Sequence, residues 1–452
     1  MIASMILHSA FVYTQQLAFP GAEGFGAFSQ GGRGGDVYTV TNLNDSGEGS
    51  LRHGIKSADG PRTIVFAISG LIKLEEELEV KKDYLTIAGQ TAPGDGICLR
   101  DNAISIDANH VILRFIRSRL GDEAGVNADA ISIDGGFNII IDHCSASWSV
   151  DEVLSCSTGE KDKIDSVSVQ WCIISEALNN SIHYKGEHGY GALIRGCYGA
   201  KYTYHHNLFA HNKSRNPRPG NYDYNHWEID SLGLQFDFRN NVIYNWEGSR
   251  PGYDGDRMSV CRYNYVGNYG KPGPDSDARG YAYSTDSKHF RGYFGDNFFF
   301  GRVPEDQWEL VRFNNDWSEA EINTYKQEKP FPSGPIENQS ATEAYENVLQ
   351  SVGASLKRDE VDLRVVSDVQ NGTGSLINHE SEVGGWPEYR TYDSKVDSDR
   401  DGMPDEWEVS VNLDPQDPSD RNGDEDQDGY TNLEEYLNSI LQPVSKASKN
   451  GI

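Results

Sequence analysis

Three short segments decide the fold of this chain: Val111-Ile-Leu-Arg-Phe115, Ile139-Ile-Ile-Asp-His143 and Val167-Ser-Val-Gln-Trp171. They begin 28 residues apart, and each is rich in the β-branched and aromatic side chains that are typical of strands. A unit of this length cannot bury its apolar face alone, so neighbouring units must stack on one another. The repeat therefore predicts a solenoid whose coils are made of β-strands.

The repeat continues on both sides of these three segments. Similar segments begin at Tyr84, Tyr202, Phe236 and Val260, and consecutive starts lie 24 to 35 residues apart. Two or three strands in each repeat, joined by loops of variable length, fit one coil of a parallel β-helix. The alternative is a β-sandwich, but its strands recur about every 8–12 residues, which fits this spacing less well.

Residues at equivalent positions of successive repeats also match. Cys144 and Cys172 lie 28 residues apart, so we expect their thiols to stack inside the solenoid without forming a disulfide. Asn207 and Asn241 share another position, where side-chain amides of neighbouring coils can bond to one another. The sequence therefore predicts an amide ladder along the solenoid.

The composition excludes several classes of protein. The 452 residues include 69 acidic and 40 basic side chains, and this net charge of −29 argues against nucleic-acid binding, which needs a basic surface. An aromatic content of 11% is too high for a disordered acidic chain. No apolar run reaches the length of about 18 residues that a transmembrane helix needs. We therefore expect a globular chain with no membrane span and no nucleic-acid partner.

The first residues are apolar and precede a glycine-rich stretch. Residues 1–16 resemble the remnant of a secretory signal peptide, with an apolar tail or a mis-assigned start codon as the alternatives. We therefore expect the protein to be secreted, or to lie at the cell surface or in the periplasm.

The C-terminal residues contain two copies of a calcium-loop pattern, which has oxygen-bearing side chains at loop positions 1, 3, 5, 9 and 12 and glycine at position 6. A hard cation needs about six to eight oxygen ligands, so two complete patterns predict an EF-hand-like calcium-binding module over residues 393–452. A solvated acidic tail is the alternative. The predicted ligands are Asp397, Asp399, Asp401, Asp405 and Glu408 in the first loop and Asp424, Asp426, Asp428, Asn432 and Glu435 in the second.

Six motifs between these two ends of the chain occur in a characteristic order. They are Asn127-Ala-Asp129, Ile141-Asp-His-Cys144, Trp148-Ser-Val-Asp151-Glu152, His183-Tyr-Lys185, Tyr204-His-His-Asn207 and Ser214-Arg215-Asn-Pro217-Arg218. Together they resemble the pectate lyase family of polysaccharide lyases, over roughly residues 17–268. The resemblance implies an all-β chain, folded as a right-handed single-stranded parallel β-helix, with the calcium-loop module as a small C-terminal addition.

The resemblance also implies a division of the chain. We expect the β-helix to be the catalytic domain and to occupy residues 17–300. Residues 301–392 lack a clear repeat, so we expect a loop-rich closing segment and linker with a short helix near residues 341–356.

The activity implied by the resemblance is the β-elimination of a polyuronate such as polygalacturonate or pectin. Removing the C5 proton builds a second negative charge beside the substrate carboxylate. A divalent cation held by protein acids can offset that charge, and basic side chains can assist it. A site of this kind therefore needs paired acids for Ca²⁺ on one coil face, with Arg and Lys opposite.

The resemblance implies a calcium ligand at Asp129. The segment that begins at Glu152 aligns with the one that begins at Asp129, so Glu152 can stack beside Asp129 and share an ion, with Asp151 as the competing ligand. The family has two acids four residues apart before this strand, and here Trp148 stands four residues before Glu152. For each acid, the alternative is a solvated coil edge.

The basic residues of the motifs have expected roles as well. The resemblance assigns Arg215 as the base for the C5 proton, although a water or hydroxide held by Arg215 is the alternative because arginine keeps its proton so strongly. Lys185 and Arg218 would bind substrate carboxylates and the developing charge, with surface salt bridges as the alternative. We expect His188 to lie in a loop near the cleft and to contact the substrate.

The sequence therefore predicts a monomeric, secreted, calcium-dependent pectate lyase. Two other classes are alternatives: a β-helical glycoside hydrolase of the polygalacturonase kind, and a non-catalytic, calcium-dependent solenoid for glycan binding or adhesion. The hydrolase would need paired acids and would leave Arg215 and Lys185 without a role.

Overall fold

A computed structural model describes residues 15–157, 163–222 and 227–441. The expected signal-peptide remnant lies outside the described residues except for Gln15 and Gln16. Twenty-seven strands follow one another along the described chain. The first fourteen are β1 (Asp36–Val40), β2 (Arg62–Phe66), β3 (Gly70–Lys73), β4 (Leu78–Val80), β5 (Leu85–Ala88), β6 (Ile97–Arg100), β7 (Ile104–Asp107), β8 (Val111–Arg114), β9 (Ile116–Arg119), β10 (Ile131–Asp142), β11 (Ser145–Ser147), β12 (Leu154–Cys156), β13 (Ile164–Gln170) and β14 (Ile173–Ser175). The others are β15 (Leu193–Arg195), β16 (Ala200–His205), β17 (Leu208–Ala210), β18 (Arg218–Gly220), β19 (Leu234–Arg239), β20 (Val242–Tyr244), β21 (Gly252–Tyr253), β22 (Cys261–Val266), β23 (Tyr269–Lys271), β24 (Tyr283–Thr285), β25 (Arg291–Gly295), β26 (Phe298–Phe299) and β27 (Val311–Phe313).

Six α-helices accompany these strands in the described residues. They are α1 (Leu51–Lys56), α2 (Glu319–Tyr325), α3 (Ala341–Ser351), α4 (Glu360–Asn371), α5 (Asp405–Val411) and α6 (Asn432–Ser439). None of the helices in the described ranges combines the length and the apolar character that crossing a bilayer requires.

The strands form stacked parallel sheets. The first sheet has the order β1-β2-β5-β8-β10-β13-β16-β19-β22-β25, and the second has the order β26-β23-β20-β17-β14-β11-β9-β6-β3. A third row contains β4, β7, β10, β12, β15 and β18, and the long strand β10 takes part in both the first and the third. Since the chain visits the rows in turn, each circuit is one coil, and the protein is a parallel β-helix, as the repeat predicts.

The register of the first sheet agrees with the spacing of the repeat. Ile139 pairs with Val111 on one side and Val167 on the other. Tyr202 pairs with Val167 and with Phe236. Equivalent residues of successive coils therefore lie beside one another along the solenoid.

A ladder of buried asparagines runs along the inside of the coils. The side-chain amide of Asn207 donates to Oδ1 of Asn241 at 3.0 Å, Asn241 donates to Asn268 at 3.1 Å, and Asn268 donates to Asn297 at 3.1 Å. Because buried amides are costly without partners, the ladder ties neighbouring coils together in one register. The prediction from Asn207 and Asn241 is confirmed, and the ladder continues for two more rungs.

The predicted thiol pair is also present in the interior. Cys144 and Cys172 are both buried and are not joined by a disulfide. Their thiols point to backbone carbonyls, that of Cys144 to Leu113 and that of Cys172 to Ile141, each at 3.7 Å. Stacked free thiols are therefore confirmed.

Residues 301–392 are more regular than the composition indicates. The predicted helix is α3, which ends at Ser351, but α2 and α4 have no counterpart in the prediction. Buried valines of α3 and α4 pack with Ile173, Leu208 and Val242 of the second sheet. This segment therefore covers one face of the solenoid and contains two helices beyond the predicted one.

The C-terminal helices lie against the first coils. Met403, Leu433 and Tyr436 form an apolar cluster with Ala88 of β5. The guanidinium of Arg33 pairs with the carboxylate of Glu434 at 2.8 Å. The C-terminal module is therefore packed onto the N-terminal end of the β-helix.

Candidate active site

Three acids of adjacent coils meet at one edge of the third row of strands. Asp129 precedes β10, and Asp151 and Glu152 precede β12. Ile131 pairs with Leu154 in a parallel ladder, so Asp129 and Glu152 occupy equivalent positions, as the sequence alignment of the two coils predicts. The backbone N–H of Glu152 donates to Oδ1 of Asp129 at 3.0 Å. We call Asp129, Asp151 and Glu152 the acid cluster.

The acid cluster has the donor chemistry of a hard cation site. One carboxylate oxygen from each of Asp129, Asp151 and Glu152 lies within 4.8 Å of the others. Burial and the neighbouring carboxylate of Asp151 raise the pKa of Asp129 well above its usual range. Such crowding of acids is unfavourable without a positive partner, and oxygen is the donor that Ca²⁺ prefers. The three residues therefore fit a bound Ca²⁺.

Two histidines lie behind Asp151. Nε2 of His188 is 2.7 Å from Oδ1 of Asp151, and Nε2 of His183 is 3.5 Å from Oδ2. The two imidazole rings stack with centroids 3.7 Å apart. Burial alone would raise the pKa of Asp151, but its hydrogen bond to His188 opposes that effect, and the pKa of Asp151 is lowered. The hydrogen bond to His188 therefore favours the ionised form of Asp151.

Arg215 reaches the acid cluster from two coils further along the solenoid. Parallel bridges join Glu152 to Tyr190 and Tyr190 to Ser214, which aligns the residue before Arg215 with the acids. The Arg215 guanidinium contacts the carboxylate of Glu152. Its centre lies 4.0 Å from the centroid of the Tyr190 ring, and its Nε lies 3.4 Å from the hydroxyl oxygen of Tyr253. Asp129 and Arg215 therefore lie on the same flank of the β-helix.

Arg215 loses its proton more easily in this site than an arginine does in water. The side chain is only 15% exposed. Burial lowers the pKa of Arg215, and the positive charge of Arg218 acts in the same direction, while Tyr253 and Asp151 act against it. Arg215 is thus a guanidinium whose proton is held less strongly than that of a surface arginine.

Arg218 lies beside Arg215 and is held by an acid that the sequence motifs do not include. Its guanidinium makes two hydrogen bonds to the carboxylate of Asp256, at 2.9 and 2.8 Å. Arg195 lies 3.6 Å from the same carboxylate. Asp256 therefore orients two arginines at the edge of the site.

Lys185 lies on an exposed loop. Its ammonium is 5.0 Å from the centroid of the Tyr184 ring, and its backbone N–H donates to Nδ1 of His183 at 3.2 Å. The structure thus brings Arg215 into contact with the acid cluster, and it leaves Lys185 on the loop above the two histidines. His188 lies deeper than expected, because it is buried against Asp151.

The sequence motifs missed three residues of the site: Tyr190, Tyr253 and Asp256. Tyr190 lies one coil after Glu152, whereas Tyr253 and Asp256 each lie 38 residues after the arginine that they contact. That interval is longer than the 28-residue repeat, because the intervening coil carries longer loops. An alignment of the third row of strands, rather than of the first sheet, would have indicated Tyr190.

Comparisons with known proteins identify relatives of this chain. No protein-family model matches the chain. A protein named "Probable pectate lyase C" from Emericella nidulans is 36% identical over 436 residues, which cover 95% of this chain and 94% of that protein. A protein of the same name from Aspergillus terreus is 36% identical over 435 residues, or 94% of each chain.

A solved structure supports the fold. The crystal structure of jun a 1, the major allergen from cedar pollen, aligns with a TM-score of 0.51 at 18% sequence identity and covers 74% of this chain and 92% of that one. The identity and coverage of the two fungal relatives settle the relationship, and the chain belongs to the pectate lyase family.

Proposed function

We propose that the protein cleaves polygalacturonate by β-elimination, with Ca²⁺ bound by the acid cluster. The observation that carries the proposal is the contact between the Arg215 guanidinium and Glu152 of the acid cluster, in a chain of the pectate lyase family. A cation site and a buried guanidinium on one flank are what the removal of a proton beside a carboxylate requires.

The residues of the chain have distinct tasks in this reaction. When bound, Ca²⁺ supplies positive charge that offsets the second negative charge of the enediolate. Asp129, Asp151 and Glu152 would hold it, and His188 keeps Asp151 ionised for that purpose.

In its neutral form, Arg215 accepts the C5 proton at a side-chain nitrogen and becomes a guanidinium cation, which afterwards returns that proton to solvent. The C5–H bond breaks, its electrons form the C4–C5 double bond, and the C4–O bond breaks with its electrons on the leaving oxygen, which takes a proton from solvent. The lowered pKa of Arg215 makes this transfer easier than for a surface arginine. Arg218, oriented by Asp256, binds a substrate carboxylate, and Lys185 offers positive charge at the mouth of the site.

An assay with polygalacturonate and Ca²⁺ tests the proposal. A lyase produces unsaturated ends that absorb in the ultraviolet, whereas a glycoside hydrolase produces new reducing ends without that absorbance. A glycan-binding solenoid produces neither. Reducing ends without ultraviolet absorbance, or no turnover at all with Ca²⁺ present, would contradict the proposal.

The organisation of the chain completes the proposal. Residues 1–16 direct secretion, residues 17–300 form the catalytic β-helix, residues 301–392 close it, and residues 393–452 bind Ca²⁺ through the two C-terminal loops. The two loops share a backbone shape that supports this assignment, since Arg400 and Gln427 have φ values of 65° and 62°, and Gly402 and Gly429 have φ values of 95° and 97°.

The protein acts as a monomer on this proposal, and size-exclusion chromatography with light scattering tests that point.

A further inference from the structure

The coil that carries Arg215 has one residue more than its neighbour in the third row of strands. Ser214 pairs with Tyr190, 24 residues earlier, whereas Arg218 pairs with Leu193, 25 residues earlier. One residue between Ser214 and Arg218 therefore has no counterpart in the preceding coil, and such an extra residue is a β-bulge. We call residues 215–217 the bulge.

The preceding pair of coils has no such irregularity. Glu152 pairs with Tyr190, and Cys156 pairs with Ile194, in both cases 38 residues later. The register is therefore constant up to Tyr190, and the change in register lies in the coil that supplies Arg215.

The bulge decides where the Arg215 side chain goes. Successive residues of a strand point to opposite faces, and Val153, which follows Glu152, is buried in the core. Arg215 follows Ser214, which aligns with Glu152, so a constant register would direct it inwards like Val153. Its backbone instead has a φ of 58°, in the left-handed region that residues other than glycine seldom adopt, and its guanidinium contacts Glu152. The unusual backbone therefore aims the guanidinium at the acid cluster.

Two buried asparagines hold the bulge. The side-chain amide of Asn212 donates to Oδ1 of Asn216, and the side-chain amide of Asn216 donates to the backbone oxygen of Asn212, each at 3.3 Å. Asn212 is fixed to the preceding coil, because its amide also donates to the backbone oxygen of Ile174 at 2.8 Å and its Oδ1 accepts from the N–H of Ala177 at 3.1 Å. We call Asn212 and Asn216 the amide clamp.

Gly191 of the preceding coil leaves room for the amide clamp. A Cβ on Gly191 would clash with Oδ1 of Asn216 and would lie 3.0 Å from the backbone oxygen of Arg215. The backbone N–H of Gly191 donates to the oxygen of Ser214 at 2.9 Å, and that of Ala192 donates to the oxygen of Arg215 at 2.8 Å. Glycine is needed here for space, because the two backbones approach each other closely.

We propose that Asn212 and Asn216 are positioning residues for the elimination, because they hold the bulge that turns Arg215 towards the acid cluster. This inference rests on the proposed role of Arg215 as the base. In the described chain no hydrogen bond joins either asparagine to the acid cluster, so both act through Arg215. Without the amide clamp, residue 215 relaxes to an extended backbone and its guanidinium leaves Glu152.

The test uses the full-length protein with polygalacturonate and saturating Ca²⁺. Asn212→Ala and Asn216→Ala remove the amide clamp, and Gly191→Ala presses on it from the preceding coil. Asn297→Ala is the matched control, because Asn297 is a buried asparagine of the ladder whose amide donates to the backbone oxygen of Tyr265 at 2.8 Å. For each variant kcat, KM and the melting temperature are measured.

We expect kcat to fall by about ten-fold or more in Asn216→Ala, Asn212→Ala and Gly191→Ala, because a small displacement of a catalytic group is costly. KM should stay within about three-fold of the parent value, since Arg218 keeps its contact with the substrate. Asn297→Ala should lower the melting temperature and leave kcat unchanged. In an Arg215→Lys background, Asn216→Ala should cost no further activity.

Three kinetic results would overturn the proposal. They are a kcat of Asn216→Ala within about three-fold of the parent value, an equal loss of kcat in Asn297→Ala, and a loss in Asn216→Ala that is just as large in the Arg215→Lys background. If Asn216→Ala does not fold, Asn216→Ser, which keeps an oxygen for the Asn212 amide, is measured by the same criteria.

A crystal structure of Asn216→Ala separates this inference from the proposed function. A φ of residue 215 outside the left-handed region, with the guanidinium away from Glu152, supports the amide clamp whatever the turnover. An unchanged Arg215 in that structure overturns it. Parent-level turnover in Arg215→Lys would instead remove Arg215 from the proposed reaction and leave the structural result for the amide clamp intact.

Discussion

The chain contains two groups of crowded carboxylates that differ in their surroundings. Asp129, Asp151 and Glu152 lie beside positive or protonatable groups, namely Arg215 and His188. Glu408 and Asp401 of the C-terminal loop are fully buried and have carboxylate oxygens without partners in the described residues. The donor atoms are the same in both places, but the balance of charge is different.

This difference indicates two uses of one cation. In the active site, neighbouring basic groups already offset part of the negative charge, so a bound Ca²⁺ retains attraction for a substrate carboxylate. In the C-terminal loop, the buried acids would surround the ion on our proposal, so we expect the ion to act on the stability of the fold. The two sites should therefore respond to different variants and different measurements.

The largest effect is expected from Arg215→Lys. Lysine keeps a positive charge but cannot place a guanidinium nitrogen at the same point, so elimination should fall by about 10²–10⁴-fold, the usual contribution of a positioned proton-transfer group. Ultraviolet absorbance of the products measures it. Arg302→Lys, an exposed arginine paired with Glu309, is the control. Turnover near the parent level in Arg215→Lys would remove Arg215 from the reaction.

The next largest effect is expected from Asp142→Asn, because three side chains contact this buried carboxylate. Asp142 is fully buried and accepts from Arg114 and Gln170, each at 2.7 Å, with His143 at 2.8 Å. Burial alone raises the pKa of Asp142, but His143 and Arg114 outweigh it and hold the pKa well below its usual range. Asp142→Asn should lower the free energy of unfolding at pH 7 by about 3–5 kcal/mol, because it leaves Arg114 unpaired.

The pH dependence of this effect has a definite sign. Folding lowers the pKa of Asp142 from its unfolded value of about 4. The ionised carboxylate therefore stabilises the fold above that pH, and this stabilisation is lost as the pH falls towards the pKa of Asp142 in the folded protein. Denaturant melts from pH 7 downwards should show the parent and Asp142→Asn converging below about pH 4. A constant difference across that range would contradict the assignment. Asp107→Asn, an exposed acid of a neighbouring coil, should show little difference at any pH.

A pair of variants separates the two calcium sites. Asp129→Asn should abolish elimination while the melting temperature still rises with Ca²⁺. Glu408→Gln should retain elimination but lose most of the rise in melting temperature. One bound Ca²⁺ stabilises the fold by about 2.7 kcal/mol when the free Ca²⁺ concentration is 100 times the dissociation constant of its site. Loss of both properties in either variant would mean that the two sites do not act independently.

The regular part of the fold is predictable from the sequence because the coil length is constant there. The 28-residue spacing gives the correct pairing of Ile139 with Val111 and Val167. The prediction is wrong by one residue at Tyr84, which has a φ of 60° at the bend before β5, so that Leu85 pairs with Val111 instead. It is wrong by three residues at Val260, because Tyr263 is the partner of Phe236.

The sites are predictable to the extent that they follow the same coils. Asp129 and Glu152 are in register because each lies two residues before a paired strand residue, Ile131 and Leu154 respectively. Asp256 comes from a turn whose length obeys no repeat, and only the folded chain brings it to Arg218. Spacing therefore identifies residues on strands, whereas residues supplied by loops require the structure.

The smallest effect is expected where a loop residue acts through a strand residue. Asp256→Asn removes the carboxylate that holds Arg218 in two hydrogen bonds, so KM for polygalacturonate should rise by about ten-fold, equivalent to about 1.4 kcal/mol, while kcat changes little. Arg218→Lys should raise KM by a similar factor, because lysine cannot bind a carboxylate in the same bidentate way. If Asp256 acts through Arg218, the double variant is no worse than Arg218→Lys alone. Additive losses in the double variant would instead show that Asp256 has a separate role.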